Sequence, residues 1–252
     1  MSLTDAQLDR YARHIVLKEI GGPGQVRLLA AHVLVIGAGG IGSPALQYLA
    51  AAGIGRITVV DDDIVDASNL QRQTLFGTDD IGSPKVEAAA AAIARLTPDV
   101  RVEARRLRID AATAPELLHG VDVVLDGCDN FATRLAVADA ALAARMPLVS
   151  AAVGAWEGQL GVFRGWERNL PCYRCFVGDD PERADTSCAD QGVMGAVTGI
   201  VGSMAAMETI RSIVPFGDDP AGRLWLFDGL AGRTRTIRLL KDPACPSCGG
   251  LA

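Results

Sequence analysis

The stretch VLVIGAGGIGSPALQYLAAAGIGRITVVDDD, Val33 to Asp63, constrains the fold of this chain more than any other. Val33-Leu34-Val35-Ile36 is a short β-branched run ending in glycine, which suits a strand buried on both faces. Gly37, Gly39 and Gly42 follow with G-x-G-x-x-G spacing. Leu46, Leu49 and the alanines around them predict a helix that stops at Gly53, and Ile57 to Val60 predicts a second strand ending on Asp61. The result is one βαβ unit with an acid about twenty positions past the glycines. Its physical logic is that of a nucleotide site. Glycines let the backbone approach a phosphate, the helix N-terminus favours negative charge, and the acid takes ribose hydroxyls. Alone, this predicts a nucleotide and no reaction, and the most frequent owner of such a unit is an NAD-dependent oxidoreductase.

A chain of 252 residues, 49% hydrophobic and with 28 glycines, can bury the core of an α/β protein. No low-complexity linker and no internal repeat divides it, so residues 1–252 are read as a single domain. The net charge of −6 argues against general binding to nucleic acid or anionic membranes. The opening MSLTDAQLDRYAR is charged and lacks an apolar core, so the expectation is a cytoplasmic protein without a secretory signal. The apolar run Val193 to Met207 is broken by Gly195, Gly199, Gly202 and Ser203. It is shorter than the roughly 20 residues that span a bilayer and reads as a buried helix.

Leu8 to Leu17 reads as a helix on which Arg10, Arg13 and His14 form a solvated basic face. Gly21-Gly22-Pro23-Gly24 then breaks it, and Gln25 to Ala30 leads into the first strand. After Asp61 comes DDIVDASNLQRQTLFGTDDIGSPK, a polar stretch long for a loop and therefore a functional candidate. Asn69, Arg72, Gln73 and Lys85 in it can reach phosphate or sugar. Ser83 reads as an N-cap with Pro84 at the first helical position. Lys85 then opposes the helix dipole, which makes sense if it faces a bound anion; the alternative is a plain surface lysine.

Strands are expected at Val100 to Leu107, Val121 to Leu125 and Leu148 to Val153, with a short helix at Pro115 to Leu118. The strand ending at Leu125 runs into Asp126-Gly-Cys-Asp129-Asn130, at the carboxyl side of the sheet where ligands bind. Asp129 is therefore either a magnesium ligand beside a triphosphate or the cap of a helix over Phe131 to Arg145. Beyond Gly154, strands at Gln159 to Arg164, Leu224 to Phe227 and Thr234 to Leu240 flank a helix over Gly192 to Val214, as mixed or antiparallel sheet continuing the same core. The fold class expected is α/β, Rossmann-like, a largely parallel sheet extended by antiparallel strands.

Six cysteines in a chain of this kind suggest metal or thiol chemistry before disulfides. Cys172-Tyr-Arg-Cys175 and Cys245-Pro-Ser-Cys248 each offer two thiolates, and together they complete a tetrahedral four-cysteine zinc site if the fold joins them. Redox-active CxxC pairs are the competing reading. Cys128, at a strand end, reads as core. Cys188, in a polar loop before the long helix, is either a nucleophile or an incidental thiol.

The combined set closely resembles the MoeB/ThiF/HesA family, bacterial relatives of ubiquitin-activating enzymes. It comprises Arg10-Tyr11-x-Arg13-His14, Gly37-x-Gly39-Gly40-x-Gly42, Asp61-x-Asp63, Ser68-Asn69-Leu70-x-Arg72-Gln73, Pro84-Lys85, Cys128-Asp129-Asn130, both CxxC pairs, and Cys188 before Gly192-Val193-Met194. The likeness runs from about Leu8 to Gly249. It implies ATP-dependent adenylation of the C-terminal Gly-Gly carboxylate of a ubiquitin-like sulfur carrier of MoaD or ThiS type. A thiocarboxylate for molybdopterin or thiamine biosynthesis follows, with a cysteine desulfurase or a rhodanese as the class of sulfur donor.

Carried over by position, Gly39, Gly40, Gly42, Asp61 and Asp63 belong to the ATP site, with Asp61 on the ribose. Ser68, Asn69, Arg72 and Lys85 contact nucleotide and phosphates. Asp129 positions Mg2+ with Asn130 beside it, and Arg13 reaches the phosphates of the other subunit of a homodimer. Cys172, Cys175, Cys245 and Cys248 match the zinc ligands, and Cys188 the cysteine of sulfur transfer. Asp61-Asp-Asp63, Asp180-Pro-Glu-Arg183, Leu226-Phe-Asp-Gly229 and Cys248-Gly-Gly250 look more like ThiF-type members.

The chemistry agrees with that resemblance. A carboxylate attacking an α-phosphate is anion meeting anion; it needs cations and magnesium rather than a strong base. Arg13, Arg72, Lys85 and Asp129 supply that set, whereas no proton-transfer constellation for a dehydrogenase accompanies the glycines. A non-catalytic nucleotide sensor would keep Gly39, Gly42 and Asp61 and have no need of Arg13, Arg72 or Asp129.

Overall fold

A computed structural model describes residues 2–178 and 192–250, and its centre is β1 (His32–Ile36), a strand buried along its whole length. β1 lies between two parallel neighbours, β2 (Arg56–Val60) and β4 (Val123–Asp126). The full order is β3 (Arg101–Arg105), β2, β1, β4, β5 (Leu148–Val153), β6 (Glu157–Phe163), β7 (Arg223–Asp228) and β8 (Arg233–Arg238). Pairing is parallel from β3 to β5 and antiparallel from β5 to β8, which is the extended parallel sheet expected. The chain steps outward from β1 to β2 and β3, then crosses to β4 on the other side of β1. That reversal opens a crevice beyond the carboxyl ends of β1 and β4.

Why Val33 to Ile36 of β1 are all apolar follows from the alternation of the strand. Val33 and Val35 enter one hydrophobic cluster, with Leu46, Leu49, Val149 and Val201. Leu34 and Ile36 enter the other, with Val124, Leu135, Leu148 and Phe163. Helix α3 (Gly42–Ala51) and the C-terminal helix α8 (Gly195–Ile213) lie together on the first face. A methyl on Gly202 would stand 2.4 Å from the Ile41 carbonyl oxygen, so this glycine lets α8 press on the start of α3. The apolar run Val193 to Met207 is thus largely this core helix, and no helix among the described residues is long and apolar enough to cross a membrane. On the opposite face sit α5 (Ala114–Leu117) and α6 (Phe131–Ala143).

Three local expectations are corrected. Helix α1 (Asp5–Ile15) does end before the glycine cluster, but Gly21-Gly22-Pro23-Gly24 begins α2 (Gly21–Ala30) instead of leading directly into the strand. Pro23 falls in the first turn, where a backbone N–H has no helical acceptor to lose. Helix α4 (Lys85–Leu96) starts one residue later than predicted: Pro84 is extended (ψ 130°) and is itself the cap. The Ser83 carbonyl accepts from Val65 N at 2.9 Å, and Ile64 bridges Pro84, so this segment is held as a ribbon until Lys85. At α6 the cap is Asn130, whose Oδ1 accepts from Thr133 N at 2.9 Å, so Asp129 is not spent on capping. A short helix α7 (Tyr173–Val177), unforeseen from the sequence, carries the first CxxC pair.

Candidate functional site

The crevice at the strand-order reversal is a cavity of about 450 Å³, walled by loops after β1, β2, β3 and β4. The glycine loop is wound tightly on itself. A methyl at Gly42 would lie 1.9 Å from the Gly37 carbonyl oxygen, so no other residue fits there. Asp61 pins this loop to the end of β2: one carboxylate oxygen accepts from Ala38 N at 2.7 Å and the other from Asp63 N at 2.9 Å. Burial raises the Asp61 carboxyl above its ordinary value, opposed by Lys85 and these two N–H groups. Each oxygen of a carboxylate has more than one acceptor site, so Asp61 retains capacity for ribose hydroxyls.

Lys85 is buried, its side chain 6% exposed, and its ammonium pairs with Asp63 at 2.7 Å. The Asp63 side chain, 68% exposed, lies at the rim. The cation in the first turn of α4 is therefore neither a surface lysine nor unpaired; a carboxylate that faces solvent holds it at the cleft wall. Asn69, the last residue of the short turn Ala67–Asn69, and Arg72 and Gln73 just beyond it line the same cavity. Arg72 Nη1 donates to the Ser68 carbonyl at 3.1 Å, which steadies the guanidinium. Ser68 itself turns away. Its hydroxyl donates to Asp66 at 2.6 Å and its N–H at 2.8 Å, bonds that hold the Asp66 carboxyl below the usual range, and Ser68 does not line the cavity.

Asp129 projects an exposed carboxylate on the cavity wall, without hydrogen-bond or ion-pair partner among the described residues. The loop that carries it is held on both sides. Asn130 caps α6, and the Cys128 carbonyl accepts from Arg134 Nη2. Cys128 Sγ faces Asp126 at 2.9 Å, and burial pushes its thiol well up, in keeping with a core cysteine.

Arg13 is exposed on α1 and does not line this cavity, so the chain by itself does not bring it to the other candidates. Cys188 and the Asp180-Pro-Glu-Arg183 segment lie outside the described residues. Sequence reasoning missed the wall formed by Leu107, Arg108 and Ile109 after β3. The alternation that predicts a strand to Leu107 runs past the end of β3 at Arg105, and these residues lie beyond its carboxyl end. Gln73, which the sequence places within reach of phosphate or sugar, is 3% exposed, lines the cavity, and leaves Oε1 without a hydrogen-bond partner among the described residues.

Away from this cleft, the four paired cysteines converge. Cys172 and Cys245 sulfurs are 3.6 Å apart, Cys175 and Cys248 3.4 Å, and Cys172 and Cys175 3.8 Å. All four lie within 4.8 Å of one another, and none forms a disulfide. The sulfur–sulfur edge of a tetrahedron with 2.3 Å bonds is about 3.8 Å, so the cluster matches a metal-sized cage. Burial raises the Cys248 thiol to about 11 and Cys172 further still, the opposing pulls including backbone N–H groups. Asp242 N also donates to Cys175 Sγ at 3.4 Å, tying the C-terminal tail to α7.

The ThiF family profile matches residues 11–247. The SAMP-activating enzyme E1 of Haloferax volcanii is 44% identical over 250 residues, spanning 99% of this chain and 92% of that protein. The sulfur carrier protein adenylyltransferase of Thermus thermophilus is 44% identical over 253 residues, spanning 99% and 93%. Among solved structures, E. coli MccB with ATP superposes with a TM-score of 0.81 at 24% identity, over 96% of this chain and 75% of that one; at that identity the likeness concerns the fold.

Proposed function

The chain belongs to the ThiF family, and from that premise we propose that it adenylates the C-terminal Gly-Gly carboxylate of a ubiquitin-like sulfur-carrier protein at the expense of ATP. The observation that carries this reading is the unpaired carboxylate of Asp129 sharing one cleft with Arg72 and Lys85 around the glycine loop. A carrier carboxylate is already ionised, so its oxygen attacks the α-phosphorus directly. The bond to the β-phosphate breaks, and an acyl-adenylate and pyrophosphate leave. The demands on the protein are alignment and charge neutralisation, with no proton to remove.

In this reading the backbone at Gly39, Gly40 and Gly42 approaches the phosphates and Asp61 takes the ribose. Asn69 and Arg72, on the wall of the same cavity, engage phosphate. Ser68 acts through its carbonyl on Arg72 more than through its hydroxyl. Lys85 exchanges Asp63 for phosphate when nucleotide enters, which explains a buried ammonium held by a carboxylate free to swing into water. Asp129 would hold the Mg2+ that accompanies ATP, with Asn130 beside it; bound there, the ion would supply charge neutralisation. Arg13 comes from the second subunit of a homodimer, and Cys188 serves the later sulfur transfer from a cysteine desulfurase or rhodanese. Residues 1–252 act as one adenylation domain in the cytoplasm, serving a MoaD- or ThiS-like carrier.

A nicotinamide dehydrogenase is not favoured. The cavity wall among the described residues contains no histidine and no tyrosine to move a proton. Exchange of labelled pyrophosphate into ATP should therefore appear only when a carrier ending in Gly-Gly is added. Robust turnover of NAD with a small alcohol, and no exchange with any carrier, would overturn the assignment.

Cys172, Cys175, Cys245 and Cys248 hold a structural zinc in this reading, their closed four-thiolate set leaving no open position for catalysis. Freshly purified protein should contain about one zinc per chain. Cys175→Ser should lose it and lower the melting temperature by roughly 5–10 °C, as expected when a crosslink of a few kcal/mol is removed from a domain of this size. Metal-free protein with stoichiometric disulfides would refute the zinc.

A further inference from the structure

The three basic residues of α1 are not equivalent. Arg10 Nη1 donates to the Leu96 carbonyl at 3.4 Å, and its Nε stands 3.8 Å from Asp99. His14 Nδ1 lies 3.3 Å from Oε1 of the fully buried Gln25, whose Nε2 donates to the Ala52 carbonyl at 2.9 Å. Arg13 alone of the three has no hydrogen-bond or ion-pair partner among the described residues, and it is exposed. The helix that carries it is held on its other side. Asp99 accepts from the Tyr11 hydroxyl at 2.8 Å through one oxygen and from Gln7 Nε2 at 3.2 Å through the other. Gln7, Arg10 and Tyr11 are spaced i, i+3 and i+4, so one carboxylate gathers one face of α1. The Tyr11 ring, 3% exposed, lies over Gly53, where a methyl would stand 2.7 Å from it.

These anchors share one pole of the sheet. Ala52 and Gly53 precede β2, and Leu96 and Asp99 precede β3, so α1 is fastened at the amino ends of those strands. The cleft opens at their carboxyl ends, a strand length of roughly 15 Å away. Lys85 in that cleft is separated from Asp99 by the whole of α4, 12 residues and about 18 Å. A helix braced at the amino pole is turned away from its own cleft, and what the bracing leaves in the open is one unpaired guanidinium. We propose that Asp99 and Tyr11 are positioning residues that present Arg13 to the cleft of a second copy of this chain. The inference rests on the adenylation reading and its homodimer, and it adds which residues of the donating subunit aim the guanidinium. A charge held on an ordered helix before substrate arrives stabilises the transition state without a further cost in freedom.

Asp99→Ala releases Gln7, Arg10 and Tyr11 together and should lower carrier-dependent pyrophosphate exchange roughly ten- to hundred-fold, the scale of a misplaced reacting or stabilising group. Tyr11→Phe keeps the ring on Gly53, removes only the hydroxyl, and should act in the same direction by less. Both variants should remain dimeric. Mixed dimers isolated through two different tags then separate the roles. With Lys85→Ala as the second chain, the cleft of the Asp99→Ala chain receives a well-held Arg13 from its partner. One site of two is intact, and about half the wild-type rate should return. With Arg13→Ala as the second chain, neither cleft receives a well-held Arg13, and the rate should stay low. If Asp99 serves its own cleft the pattern inverts, with recovery beside Arg13→Ala and none beside Lys85→Ala; that result overturns the inference. So does a lower melting temperature with wild-type exchange per folded dimer, the mark of a brace for the fold alone. If Asp99→Ala yields no folded dimer, the same two crosses with Tyr11→Phe decide. Arg13→Ala crossed with Lys85→Ala is the control: no recovery there sinks the homodimer reading beneath the inference, whereas recovery there and none for Asp99→Ala beside Lys85→Ala sinks the inference alone.

Discussion

Asp129→Ala should lower carrier-dependent pyrophosphate exchange by about 10²–10³-fold, the usual scale for losing one preorganised electrostatic group, while most ATP binding survives. The structure separates this effect from misfolding. Asp129 is exposed, has no partner among the described residues, and does not cap α6, so truncating it orphans no buried group. Surface changes of that kind usually alter stability by about 0.5 kcal/mol or less. The neighbouring Asn130→Ala is the control: it removes the cap and should cost about 1 kcal/mol of stability, visible in a melting curve on which Asp129→Ala is silent. The glycine loop and Asp61, which Asp129→Ala leaves alone, account for the retained binding. If instead the wild type binds ATP and activates no carrier, the chain is a nucleotide sensor and Asp129→Ala will change nothing measurable in turnover.

Arg13→Ala should be nearly inactive and still dimeric, and mixing it with Lys85→Ala should restore activity. Arg13 stands exposed on α1, a helix fastened elsewhere by the Tyr11 hydroxyl on Asp99 at 2.8 Å, and it takes no part in the cavity of its own chain. A guanidinium supplied across a two-fold interface would complete two equivalent sites, as arginine fingers do in other phosphoryl-transfer enzymes. In a mixed dimer one site receives wild-type Arg13 and Lys85 together and the other receives neither. Random exchange makes half of the dimers mixed and half of their sites intact, so about a quarter of wild-type activity should return. Lys85→Ala is a workable partner because it releases Asp63 at a solvent-facing rim and not in the core. Proven subunit exchange without recovery would place Arg13 in its own cleft or outside the reaction.

Much of this was legible in the chain because its signals are local. A β-branched run, spaced glycines and a following acid lie within one βαβ unit, and Asp61 sits where that unit puts it. What stayed hidden depends on a single residue of register or on distant convergence. Asp129 and Asn130 are both good caps, and only the extended backbone of Asn130 (φ −101°, ψ 122°) decides which one turns inward. Arg134 reads as an ordinary charge in a helix; it is buried because acceptors 8, 16 and 17 residues along the chain meet it, and nothing in its neighbours announces that. The motif points to Ser68 as a nucleotide contact, yet Asp66 two residues earlier competes successfully for its hydroxyl, as short polar side chains in turns commonly do.

The cysteine pairs meet across equal spans: Cys172 to Cys245 and Cys175 to Cys248 are each 73 residues apart. Any ion gripped there turns the intervening polypeptide into a ring that contains α8, β7 and β8. In the denatured ensemble such a tether removes about 4 kcal/mol of conformational freedom. The antiparallel half of the sheet should then open as one cooperative block rather than peel from its β8 edge, and α8, the helix leaning on the glycine loop, would stay in place until the ring is cut. A metal–thiolate clasp can be undone by a chelator and remade without redox chemistry, which makes the latch of this half of the molecule reversible.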